Sequence, residues 1–198
     1  MRNKEQTYKQ IIETAFSMFS EKGFDHTSMA HIAAEVGITK PAVYYYFKSK
    51  DELIKALFDI IAKEIQSITY ADLNEMNDTN LRTMLYSIGE KAISLQEQNL
   101  QFNQLFNQYI LLASRDSYYS EKIRDIQQDF FNAFYNLFKH AVKVKAIKNE
   151  NILIKSQLLA LVFDNITNYI LSDTTLEFEQ VWREAVDNTL RGIETYEQ

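Results

Sequence analysis

The sequence predicts an all-α protein of about nine helices, and three observations lead there. Four Gly and one Pro in 198 residues are too few for the many turns of a β-rich chain. Apolar residues recur at three- and four-residue intervals through most of the chain, the spacing that lines one face of a helix. A single Gly, Gly37, separates two short segments that each read as a helix, which is the arrangement of a helix-turn-helix.

The elements follow in order. From Lys4 to Lys22 the residues Tyr8, Ile11, Ile12, Ala15, Phe16 and Phe19 share one face, and Gly23 stops the helix. In the second helix Ile32, Ala33 and Val36 turn toward a core. Gly37 then supplies the left-handed residue that ends it, Ile38 fills the turn and Thr39 caps the third helix. Pro41 falls in the first turn of that helix, where its missing N–H costs nothing. Together these form a three-helix domain ending near Phe47. Ser49-Lys-Asp-Glu52 reads as a capping box opening a fourth helix, which carries Leu53, Ile54, Leu57, Ile61 and Ile65 to about Tyr70. Ala71 to Asn80, rich in Asn and Asp, reads as a loop. Further helices are expected over Leu81–Gln96, Leu100–Ala113, Tyr118–Lys145, Asn151–Leu171 and Leu176–Tyr196.

Composition excludes several classes. With no Cys there can be no disulfide, Cys-ligated zinc, iron–sulfur cluster or thiol nucleophile, which fits a cytoplasmic location. The polar start of the chain shows no signal peptide, and no apolar run approaches the roughly 18–20 residues of a membrane span. His26, His31 and His140 are scattered and match no metal spacing. There is no Gly-rich phosphate loop and no nucleophile elbow, so neither an enzyme nor a cofactor is expected. The net charge of −6 is unevenly spread. Residues 1–50 carry seven Lys/Arg and five Asp/Glu, a net +2, against fourteen and twenty-two, a net −8, in the remainder. A local basic patch on an acidic chain suits a protein that meets DNA through a small surface.

The window from Thr27 to Leu53 carries the chemistry. One short helix cannot bury Tyr44, Tyr45 and Tyr46 against one core, and with Lys40 they form a polar, aromatic face suited to phosphates and base edges. The Gly23-Phe24 end of the first helix, then T-S-M-x-x-I-A, V-G-I-T-K and Val43-Tyr-Tyr-Tyr-Phe-Lys-Ser-Lys50 followed by x-E-L, resembles the N-terminal domain of the tetracycline-repressor (TetR) family. The match covers about the first quarter of the chain and departs at Pro41, where small residues are frequent, and at Tyr46, where His is common. The resemblance implies a DNA-binding domain over 1–48 and a ligand-binding and dimerisation domain over 49–198. It implies that Thr27 and Ser28 touch phosphate, that Thr39, Lys40, Pro41, Ala42, Tyr44 and Tyr45 lie on or near the groove-facing side, and that Tyr46 and Lys50 clamp the backbone. Val43 and Phe47 read as core.

The last two helices are the expected homodimer interface, through Leu158, Val162, Tyr169, Val181, Trp182, Ala185 and Leu190. The penultimate helix is apolar around much of its circumference and needs burial on two sides, either within one subunit or against a second. The family also implies a small-molecule pocket, for which Phe102, Phe106, Tyr109, Phe130, Phe134, Tyr135, Asp164 and Asn165 are the candidates; an ordinary core with solvated amides is the alternative for most of them. Asp164, in the most apolar helix, can pair across the dimer, bind a cationic or hydroxylated ligand, or reach solvent. The function expected is a ligand-responsive regulator, a repressor released from a near-palindromic double-stranded operator by a hydrophobic effector. The fourth helix, free of Gly and Pro, would act as a rigid lever between ligand and DNA. The alternative is a DNA-bound structural or adaptor protein whose C-terminal half binds a protein partner.

Overall fold

A computed structural model describes residues 3–68, 73–170 and 175–195, with the backbone alone for 66–68, 167 and 168. Among the described residues there are nine α-helices and no strand: α1 (Lys4–His26), α2 (Met29–Val36), α3 (Lys40–Tyr46), α4 (Lys50–Ile68), α5 (Leu81–Gln98), α6 (Leu100–Ala113), α7 (Ser117–Lys143), α8 (Ile152–Tyr169) and α9 (Phe178–Leu190). The expected helix ends at Tyr70, Leu171 and Tyr196 lie outside the described residues.

Local chemistry sets most helix ends. α1 continues to His26, but Gly23 breaks it with φ 81° and ψ 165°, so the expected stop is a kink followed by a last short turn. The N–H of His31 donates to the Ser28 hydroxyl and starts α2. Gly37 ends α2 in the left-handed conformation, while the Ile38 N–H reaches back to the Ala33 carbonyl at 2.9 Å. The N–H of Ala42 donates to Thr39 Oγ1, with Pro41 in the first turn of α3. The N–H of Glu52 donates to Ser49 Oγ at 3.0 Å, and the Glu52 carboxylate returns to the N–H of Lys48 at 2.8 Å, one residue earlier than a standard capping box. The expected loop before α5 holds a short 3-10 turn, Leu73–Glu75, and side-chain turns in which Asn77 accepts from the backbone of Thr79 and Asn80.

The chain divides into two compact units, Met1–Glu64 with Gln101–Ile123, and Ile65–Leu100 with Arg124–Gln198. This division differs from a boundary at 48/49, because α6 and the start of α7 group with the N-terminal helices. In the first unit Phe19, Phe24, Tyr109, Phe58 and Tyr119 form a continuous run of ring contacts with centroids 4.5–5.5 Å apart. The Tyr109 hydroxyl, fully buried, donates to the Ile54 carbonyl at 2.9 Å, which holds α6 against α4.

In the second unit α5 and α8 both pack on α9. Trp182 of α9 is completely buried, and its indole N–H donates to the Leu85 carbonyl at 2.9 Å. Its ring lies where any side chain at Gly89 of α5 would have to go. Arg82 pairs with both Asp187 and Glu194, and the Tyr86 hydroxyl donates to Asp187. Among the described residues the last helix ends at Leu190. Gly192 then turns the chain with φ 78°, and Glu194 pairs with Ile147 in a single antiparallel bridge.

Candidate nucleic-acid interface

The three N-terminal helices bury Ile11, Ala15, Phe19, Ile32, Ala33, Val43 and Phe47. Val43 and Phe47 are therefore core, as the sequence expects. The opposite side of α3 carries Thr39, Lys40, Pro41, Tyr44 and Tyr45, all exposed, with Ala42 and Tyr46 half-buried beside them. Tyr45 reaches further out than Tyr44, with 69% of its surface open against 39%. The Lys40 ammonium lies 5.8 Å from the Tyr44 ring centre and that of Lys4 lies 5.2 Å from the Tyr45 ring centre. Tyr45 and Tyr46 meet edge to face at 5.3 Å. Cations are thus held against aromatic faces on a single surface, which can bond phosphates through the lysines and touch base edges through the phenols.

Two expected phosphate contacts face the protein instead. Thr27 is 1% exposed, and its hydroxyl donates to the Met18 carbonyl at 3.2 Å. The polar end of its side chain satisfies a carbonyl of α1, so Thr27 is a core residue. The Lys50 ammonium donates to the carbonyls of Phe24 and Thr27, at 2.7 and 3.2 Å. Those carbonyls follow the break in α1, and the cation anchors them rather than standing free to clamp DNA. Ser28 is half-buried and used as the cap of α2.

The residues expected at a dimer interface separate into two groups. Trp182 and Leu190 are completely buried within their own unit and cannot meet a second subunit; the apolar stripe of α9 that contains them faces α5 and α8. Leu158, Tyr169 and Val181 are exposed, and Val162 and Ala185 are half-buried. Ile154 and Leu161, not singled out from the sequence, join them; the spacing from Ile154 through Leu158 and Leu161 to Tyr169 could have shown it. On the same surface Leu161, Val162, Asn165, Ile166, Tyr169, Leu176, Phe178 and Val181 line an apolar groove of about 360 Å³.

The candidate pocket residues also fall into both units. Phe102 and Phe106 are half-buried in the first, where Tyr109 belongs to the aromatic core. In the second, Phe130 and Phe134 pack with Phe163, and Tyr135 lies under the Lys139 ammonium at 4.8 Å. Asn165 is exposed, its amide donating to the Leu161 carbonyl at 2.8 Å. Asp164 is half-buried, and burial raises its carboxyl pKa above the ordinary value. Gln108, which nothing in the sequence distinguishes from the other amides of α6, makes two bonds to α1. Among the described residues no cluster of three or more His, Cys, Asp or Glu could hold a metal ion, and no helix is long and apolar enough to cross a membrane.

A short helix with an exposed Lys/Tyr face, set on a second helix by a left-handed Gly, defines a helix-turn-helix DNA-binding domain. Residues 11–57 match the family described as bacterial regulatory proteins, tetR family, so the likeness to that family is carried by this domain. The nucleoid occlusion factor SlmA of Pasteurella multocida (strain Pm70) is 22% identical over 190 residues, 91% of this chain and 92% of that protein. A TetR-family regulator from Mesorhizobium loti MAFF303099 superposes with a TM-score of 0.76 at 18% identity, covering 96% of this chain and 98% of its own. The transcriptional regulator FadR of Bacillus subtilis, in complex with stearoyl-CoA, superposes with a TM-score of 0.70 at 18% identity over 94% of this chain and all (100%) of its own. At these identities the likeness beyond the N-terminal domain is one of fold.

Proposed function

We propose that the protein is a homodimeric, cytoplasmic transcriptional repressor without catalytic activity. It reads a near-palindromic operator through α2 and α3 of each subunit and releases it on binding a hydrophobic small molecule. The observation that carries this reading is the exposed Lys40–Tyr44–Tyr45 face on a helix-turn-helix whose other side is fully buried. Residues 1–48 supply the DNA contacts, through Ser28, Thr39, Lys40, Pro41, Ala42, Tyr44, Tyr45 and Tyr46. Residues 49–198 supply effector binding and dimerisation.

The dimer reading rests on the apolar surface of α8 and α9, where Ile154, Leu158, Leu161, Tyr169 and Val181 are 63%, 55%, 48%, 52% and 43% exposed. Exposed apolar area of this kind, continuous with a groove, marks an association surface. A two-fold dimer presents two recognition helices, so half-sites lie one helical turn or a multiple of it apart. The effector reading rests on the aromatic and amide composition of α6 and α7 and on the acyl-CoA bound by the Bacillus FadR. The rival, an adaptor, draws on the likeness to a nucleoid occlusion factor.

Titrating long-chain acyl-CoAs and aromatic hydrophobic compounds into the protein, with and without bound DNA, tests the reading. A repressor binds its effector more weakly when DNA is bound, by the same factor that the effector weakens DNA binding, typically about 5- to 150-fold. DNA binding that responds to no compound of these classes supports the adaptor.

A further inference from the structure

We infer that Gln108 of α6 is a positioning residue for DNA reading: its side-chain amide holds the broken end of α1 and so sets the angle at which α2 and α3 are presented. The inference rests on the proposed DNA-reading face. It begins at Gly23, whose φ of 81° and ψ of 165° take the chain out of the helix. In an unbroken helix the N–H of Phe24 would point at the carbonyl of Ser20. Here it donates to Gln108 Oε1 at 3.0 Å, while Gln108 Nε2 donates to the Phe19 carbonyl at 2.8 Å. The two ends of one amide thus bond on either side of the kink. Each end can make only the bond it makes, since the oxygen cannot donate and the NH₂ cannot accept.

The neighbours of this bridge are equally specific. Phe24 sets its ring against Phe19 and against Tyr109, each at 5.1 Å, and Tyr109 follows Gln108 on α6. Lys50 of α4 takes the carbonyls of Phe24 and Thr27. The connection from α1 to α2 is therefore held by α6 and α4 and not by its own three-helix domain alone. Both bonds come from the one side chain of Gln108, so its loss removes them together. With the bridge gone, residues 23–27 can take other conformations, and only part of the population presents α3 correctly. Apparent affinity falls with that fraction. Two recognition helices must be aligned at once on a two-fold site, so sequence-specific binding suffers most, whereas non-specific phosphate attraction depends little on alignment.

The test uses the full chain and two probes: a duplex enriched by the wild-type protein from a random-sequence pool, and a scrambled duplex of equal length. Q108L removes both bonds at similar volume, and Q108M is the second variant should Q108L fail to fold. The expected result is a folded protein whose affinity for the enriched duplex is lowered roughly tenfold. Its affinity for the scrambled duplex should stay within about twofold of wild type. A merely stabilising role predicts a lower melting temperature with an unchanged ratio of the two affinities, and that result overturns the inference, as does wild-type affinity for both probes. A wild-type protein that enriches no duplex overturns the DNA-reading assignment itself, and the role of Gln108 with it.

Discussion

Lys50 and Lys40 are both lysines beside the recognition helix, yet their surroundings give them different work. Lys50 spends its ammonium on two carbonyls after the kink of α1. Lys50→Met should therefore destabilise the protein by about 1.5–3 kcal/mol, the worth of hydrogen bonds to a charged group, read as a drop in the chemical denaturation midpoint without DNA. Lys40→Ala removes an exposed cation, so stability should change by no more than about 0.5 kcal/mol while the slope of log affinity against log salt falls by about one. The pattern of residue types in this window was legible in the sequence; which way each side chain points was not. Thr27 and Lys50 show why: a buried hydroxyl is fixed by the Met18 carbonyl and an anchored ammonium by the carbonyls of Phe24 and Thr27, groups that the residue pattern does not mark. Asp164 makes a pH prediction. Burial raises its carboxyl pKa, so the folded state binds its proton more tightly than the unfolded chain does. Its destabilising effect is absent below the ordinary carboxylate pKa and appears as pH rises through the raised one. Asp164→Asn should raise the melting temperature at neutral pH and lose that advantage in acid; a variant equally stabilised at both would contradict the assignment.

At the scale of elements, helix existence followed from apolar spacing and the ends of α2 and α3 from capping chemistry, which is why those two lie where the sequence expects them. α9 is the exception. Its apolar spacing runs on to Ile193, so periodicity alone extends the helix, but Gly192 turns the chain and Glu194 pairs with Ile147. Which apolar residues of α9 meet solvent was also hidden, because periodicity shows a face and not its partner. Trp182 fills the space left by Gly89 of α5, a contact that no spacing within either helix predicts. Gly89→Ala should consequently cost roughly 1–3 kcal/mol by overpacking, even though Ala favours a helix over Gly. A rise in thermal stability of this variant would show that the close approach of α5 to Trp182 is not rigid.

At the scale of the whole molecule, the proposed function sets a mildly basic reading face on an acidic chain and duplicates it by association through α8 and α9. Leu158 and Leu161 are exposed, so the double variant Leu158→Asp, Leu161→Asp should keep its helical spectrum and sediment as a monomer at micromolar concentration; a dimer of undiminished affinity would move the interface elsewhere. The most direct test of the central claim is the affinity of the wild-type protein and of the Lys40→Ala, Tyr45→Ala variant for a duplex enriched by the wild type from a random-sequence pool, measured by fluorescence anisotropy. The expected result is an enriched near-palindrome bound by two subunits, and a folded variant whose affinity for it is weaker by about 1–3 kcal/mol per lost base contact. Equal binding by the folded variant and the wild type would contradict the assignment of α3 as the element that reads DNA.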